Sequence, residues 1–167
     1  MLDQLSAQPK LVILDTMNFW MDIAMPDLLE TIKMVDLILV NDGELANSLD
    51  KNIPIIRLNR HNKYSLRTMH KCVKILRNYE LIHVHMRHNY RYIQLIKRVF
   101  FVKTKVILHD HYGNIDIDKS VPFGLRSILK PTYYIGVSKT LLSWASNKLK
   151  LPQSYFVLYN SSRTLVI

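Results

Sequence analysis

The chain of 167 residues has one cysteine, Cys72, and four glycines. A lone thiol excludes an intrachain disulfide, and the lack of paired cysteines excludes the common zinc-finger patterns. Long apolar runs are also missing, since none approaches the roughly 20 residues that span a bilayer. The opening Met-Leu-Asp-Gln-Leu-Ser has no basic segment leading into an apolar one. No export signal is therefore expected, and a reduced, cytoplasmic setting fits, with the inner membrane face as a peripheral location. The glycines stand far apart, at 43, 113, 124 and 136, so no glycine-rich phosphate loop follows the first apolar run. Repeats and low-complexity tracts are absent.

Acidic residues are scarce over most of the chain. Residues 1–50 carry two lysines against nine acids, net −7, whereas residues 51–167 carry 21 Lys and Arg against Glu80, Asp110, Asp116 and Asp118, net +17. Charge so segregated is read by its distribution and not by its total. It marks a boundary near Asp50 and suggests two pieces, 1–50 and 51–167. The alternative is one domain with an acidic edge and a basic face. At 49% hydrophobic the chain is long and apolar enough for a real core and cannot be disordered as a whole.

What the sequence has is a regular alternation of short apolar runs and amphipathic stretches. Strands are predicted at Leu11–Leu14, Leu37–Val40, Ile53–Leu58, Leu81–His85, Lys105–His109, Tyr133–Val137 and Tyr155–Leu158. Between them, helices are predicted after Pro26, from Leu66 to Asn78 behind a Ser65 cap, from Tyr90 to Phe101, from Pro122 to Leu129, and from Ser138 to Leu149. Strand-helix alternation of this kind predicts an α/β, Rossmann-like three-layer arrangement with a mainly parallel sheet.

Two of the strands end in polar clusters. Leu-Ile-His-Val-His-Met-Arg-His at 81–88 delivers His85, Arg87 and His88; Val-Ile-Leu-His-Asp-His-Tyr-Gly-Asn at 106–114 delivers His109, Asp110, His111, Tyr112 and Gly113. Parallel sheets place ligands beyond the carboxyl ends of their strands, so one crevice lined by these groups is the candidate site. His109 and His111 share a face if the strand continues through them, with Asp110 on the other, and His83 and His85 repeat the spacing. Four imidazoles could in principle bind zinc, but no carboxylate ligand or base has a clear sequence partner, and no metal is assigned. Histidines hydrogen-bonded at strand ends are the structural alternative. Ser138 is either a cleft residue or a plain N-cap.

Residues 10–49 resemble a stretch of the ribokinase-like (PfkB) sugar kinases, through Asp-Thr-Met-Asn at 15–18 and Asn-Asp-Gly-Glu at 41–44. The resemblance implies a magnesium and phosphate role for Asn41 and Glu44. The family's sugar-binding strands and Gly-Ala-Gly-Asp motif are missing, so no kinase activity is expected. Residues 53–160 resemble the N-terminal domain of GT-B fold glycosyltransferases of the family-4-like retaining group, through residues 81–85, 106–114, Tyr-Ile-Gly-Val-Ser-Lys at 134–139 and Tyr-Phe-Val-Leu-Tyr-Asn at 155–160. This implies the acceptor-side half of an incomplete GT-B enzyme that uses a nucleotide sugar as donor. His85, Arg87, His88, His109, Asp110, His111, Tyr112, Gly113 and Ser138 would face a sugar or lipid-linked acceptor, with the donor-binding half missing and no efficient turnover expected. No cofactor is assigned to the chain itself. The basic surface expected from Arg57, Arg60, Lys63, Arg67, Lys71, Lys74 and Arg77, followed by Arg87, Arg91, Lys97, Arg98, Lys103 and Lys105, suits an anionic membrane; a non-catalytic binding module on membrane or nucleic acid is the rival, with nucleic acid disfavoured because no recognised motif is present.

Overall fold

The structure, a computed structural model, describes residues 11–15, 35–39, 55–58, 62, 65–151 and 156–157. Within them, β1 (Leu11–Asp15), β2 (Val35–Leu39), β3 (Ile55–Arg57), α1 (Leu66–Leu76), β4 (Leu81–His85), α2 (Arg87–Val99), β5 (Lys105–Asp110), β6 (Tyr133–Gly136), α3 (Lys139–Leu149) and β7 (Phe156–Val157) follow in order. The strands form one seven-stranded sheet, β3-β2-β1-β4-β5-β6-β7, with every pairing parallel. The Rossmann-like α/β class is therefore the observed one. Strands from both sides of Asp50 share this sheet: β1 pairs with β2 and with β4, and β2 pairs with β3. Strand order reverses between β1 and β4, which is the switch point where such sheets open a crevice.

α1 begins where the sequence requires. The Ser65 hydroxyl accepts from the Thr68 N–H, and Met69, Cys72, Val73 and Leu76 recur at helical spacing on the buried face. α2 starts three residues before the predicted Tyr90, because Met86 leaves the strand with φ 71° and no side-chain cap, putting Arg87 and His88 in the first turn. Its Tyr90, Ile93 and Ile96 are fully buried and pack on Ile82, Val84, Val106 and Leu108 of β4 and β5. Burying each of those isoleucines contributes about 1.5–3 kcal/mol. α3 opens at Ser138, whose hydroxyl accepts from the Leu141 N–H, and ends at Lys150 in the left-handed conformation.

The helix predicted for Pro122–Leu129 is corrected to a chain of turns. Gly124 takes φ +83°, which no right-handed helix passes through, and the Leu129 N–H closes back on the Gly124 carbonyl at 2.8 Å. Leu125 and Leu129 still reach the interior, so the apolar spacing was genuine and only the backbone path differs. Among the described residues no helix is long and apolar enough to cross a membrane.

Candidate functional site

The pleat sorts the two polar strand ends onto opposite faces. Ile82, Val84, Val106, Leu108 and Asp110 alternate with His83, His85, His109 and His111, so the first set meets the helices and the second stacks on the other face. Strand pairing of His85 with His109 then brings the histidines of neighbouring strands side by side.

On the helix face, Asp110 is fully buried and organises the carboxyl end of β5. Its Oδ2 accepts from Arg87 Nε at 2.8 Å and from the Tyr134 hydroxyl at 2.8 Å, and its Oδ1 accepts from the Tyr112 N–H at 3.2 Å. Burial and the adjoining carboxylate push the Tyr134 hydroxyl far above its ordinary value, so it stays a donor. The Arg87 guanidinium lies 4.4 Å from the centre of the Tyr112 ring and 3.9 Å from that of Trp144, a cation between two π faces. One arginine thus joins α2, the segment after β5 and α3. Trp144 in turn donates from Nε1 to the Lys119 carbonyl, fastening the following loop.

A cleft of about 240 Å³ opens beside this arginine, lined by Met86, Arg87, His88, Arg91, Asp110, Tyr112, Asp118, Ser120 and Pro122. Its walls differ in charge. The first turns of α2 bring Arg87, His88 and Arg91, while the loop brings Asp118, whose carboxyl is held below the usual range by hydrogen bonds from Ser120 and Tyr112. That same bond, donated by the Tyr112 hydroxyl at 2.8 Å, raises the Tyr112 phenol. Arg87 Nη2 and Arg91 Nε are buried donors without a partner among the described residues. A buried donor left unpaired costs about 1–3 kcal/mol, so an acceptor-rich ligand, a hydroxylated ring or a phosphate, would recover that loss in the cleft. That volume accommodates a sugar ring or a phosphate.

On the opposite face, His83, His85, His109 and His111 form a stack. Ring centres lie 4.8 Å apart for His83 and His85, 4.9 Å for His83 and His109, 4.9 Å for His85 and His111, and 4.1 Å for His109 and His111. Burial, reinforced by the neighbouring imidazoles, lowers His83 to about 4 and His109 to about 2, and takes His85 well down. His111 is lowered by burial, with Asp110 pulling the other way. The stack is therefore neutral at pH 7.

The sequence-predicted site residues are thus divided. Arg87, His88, Asp110 and Tyr112 meet in the cleft; His85, His109 and His111 lie together across the sheet with His83. Gly113 is exposed in the loop and outside the cleft lining, and the Ser138 side chain caps α3. Asn41 and Glu44 lie outside the described residues. Sequence reasoning missed Arg91, Asp118, Ser120 and Trp144 as parts of the site. Arg91 had a signal, its place one helical turn after Arg87. Trp144 had none, because its contact with Arg87 is set by tertiary packing alone.

No family model matches the chain, and no curated protein matches it. Solved structures do. HepE from Anabaena, in complex with UDP and glucose, superposes with a TM-score of 0.64 at 17% identity, covering 92% of this chain and 45% of HepE. HepE in complex with UDP alone gives 0.66 at 15%, covering 91% and 44%. The apo form of the lipopolysaccharide outer core galactosyltransferase WaaB gives 0.64 at 10%, covering 89% and 44%. This chain therefore has the fold of a Rossmann-like half of a GT-B glycosyltransferase, and it spans under half the length of each of these structures. These comparisons lend no support to a kinase fragment.

Proposed function

We propose that the chain is the acceptor-side half of a glycosyltransferase that moves a sugar from a nucleoside diphosphate sugar to a hydroxyl. One observation carries the proposal: a cleft with room for a sugar ring opens beyond β4 and β5, with Arg87 and Arg91 donors that have no partner among the described residues on one wall and Asp118 on the other. It is supported by fold likeness to a structure that contains UDP and glucose. In this role Arg91 and His88 hold acceptor hydroxyls or a phosphate, Tyr112 and Asp118 orient the ring, and Asp110 keeps Arg87 in place. The donor site belongs to a second half outside these 167 residues, so the chain alone turns over no nucleotide sugar. The exposed Arg67, Lys71 and Lys74 of α1 and Arg77 at its end, with no acid between residues 65 and 79, would seat the acceptor side against anionic lipid.

Saturation-transfer NMR with a panel of monosaccharides and alkyl glycosides, run on the wild type and on Arg91→Met, tests this. Ring-proton contacts in the wild type that vanish in the variant are expected. Absence of contact with every sugar would remove the acceptor role, and turnover of a UDP-sugar by the chain alone would refute the division between two halves.

A further inference from the structure

The stacked histidines have no part in the cleft, and their chemistry points elsewhere. A ligand nitrogen from each of His83, His85 and His109 lies within 4.8 Å of the other two. His83 Nε2, His85 Nε2, both ring nitrogens of His109 and His111 Nε2 are buried and have no hydrogen-bond partner among the described residues. Five unpaired imidazole nitrogens in one place are costly for a core, since each loses its water and gains nothing in return. Nothing apolar is gained either, because a phenylalanine or leucine would fill the same positions without that loss.

We propose that His83, His85 and His109 form a binding site for a divalent transition-metal ion of the zinc class, with His111 as a fourth imidazole at its mouth. An all-imidazole set suits zinc, copper or nickel and not magnesium or calcium, which require oxygen ligands. The neutral ring is the form that coordinates, and it is the form present here at pH 7. Zinc–nitrogen bonds of about 2.0–2.1 Å place tetrahedral ligands roughly 3.4 Å apart, so the ion draws the widest nitrogen pair inward by about 1.4 Å. Side-chain torsions supply such a movement without displacing either strand, because the His85–His109 register already sets the two backbones side by side. His111 is only partly buried and lies just past the end of β5, which gives the ion a way in. Two ligands from β4 and two from the end of β5 would clamp these strands together on the face away from Arg87, leaving the ion a structural one.

The test uses the full chain, stripped with a chelator and titrated with Zn²⁺ and with Co²⁺ as a spectroscopic substitute. One equivalent of zinc retained through gel filtration, with the intense visible absorption of four-coordinate Co²⁺, is the expected result. His109→Ala, checked for folding by circular dichroism, should bind more than about tenfold more weakly, the least that loss of even an outer-shell partner costs a metal site. His70→Ala, an exposed histidine on α1, should bind as the wild type does. Unchanged affinity in folded His109→Ala would overturn the site. If His109→Ala does not fold, the wild-type Co²⁺ spectrum decides, and an octahedral, water-like spectrum overturns it.

Discussion

Acid should unfold this protein through its histidine stack, and the size of the effect follows from two side chains. In the unfolded chain an imidazole titrates near 6.5, whereas folded His83 titrates at about 4 and His109 at about 2. Because each folded value lies below the unfolded one, the unfolded chain binds more protons between them. Stability is therefore full above pH 6.5, falls as pH drops through the window from 6.5 to 4 for His83, and for His109 keeps falling toward 2. At pH 5 an unfolded imidazole has gained about 2 kcal/mol from protonation and the folded one almost nothing, so the pair costs about 4 kcal/mol relative to pH 7. Set against the 5–15 kcal/mol of an ordinary domain, that is a large part of the whole. Urea unfolding at pH 7 and pH 5, in the presence of chelator, on the wild type and on His83→Gln measures it. The variant should lose about 2 kcal/mol less than the wild type over this interval, or about 4–8 °C less in Tm. Equal losses in the two proteins would refute the assignment of a depressed, buried His83.

Asp110→Ala leaves the Arg87 cation buried with only its ring contacts, and should cost about 3–5 kcal/mol in denaturant unfolding; a loss under 1 kcal/mol would mean that the pair is not buried in solution. Vesicles rich in anionic lipid should sediment the protein at low salt and release it as salt rises, and Arg67→Gln with Lys71→Gln and Lys74→Gln should weaken this by about 1 kcal/mol per charge removed. Binding that salt leaves unchanged would dismiss the basic face of α1 as the contact.

Much of the architecture was legible because it rests on local physics. Ser65 and Ser138 announce helix starts by a hydroxyl three residues ahead of an orphan N–H, and the structure finds both bonds. Alternation placed Asp110 opposite His109 and His111, as observed. Helix α2 was misplaced at its start because a non-glycine residue at φ 71° carries no sequence signature. The helical spacing of Leu125 and Leu129 predicts a helix where the chain makes turns at 123–129, and the weight of Gly124 against it depends on a backbone angle that only the packed loop fixes. The site was harder still. His85 and Arg87 are two residues apart in sequence yet serve different faces, and Trp144 reaches Arg87 from a distant helix. Proximity of that kind is decided by topology, and topology was the part that no local pattern could supply.

The position of β1 inside the sheet bears on how the chain must fold. Leu11 pairs with Val35 on one side and with Leu81 on the other, so the strand made first finds its second neighbour only after β4 exists. Parallel pairing over such a distance closes a long loop before any contact repays the lost chain entropy, which makes it slow. During synthesis, β1 and β2 would wait with an open edge while the segment up to His85 emerges. Folding nuclei are then better placed in the later half, where α2 docks on β4 and β5 over short connections. A mutation such as Ile93→Ala should accordingly slow folding, whereas changes in β1 should chiefly speed unfolding.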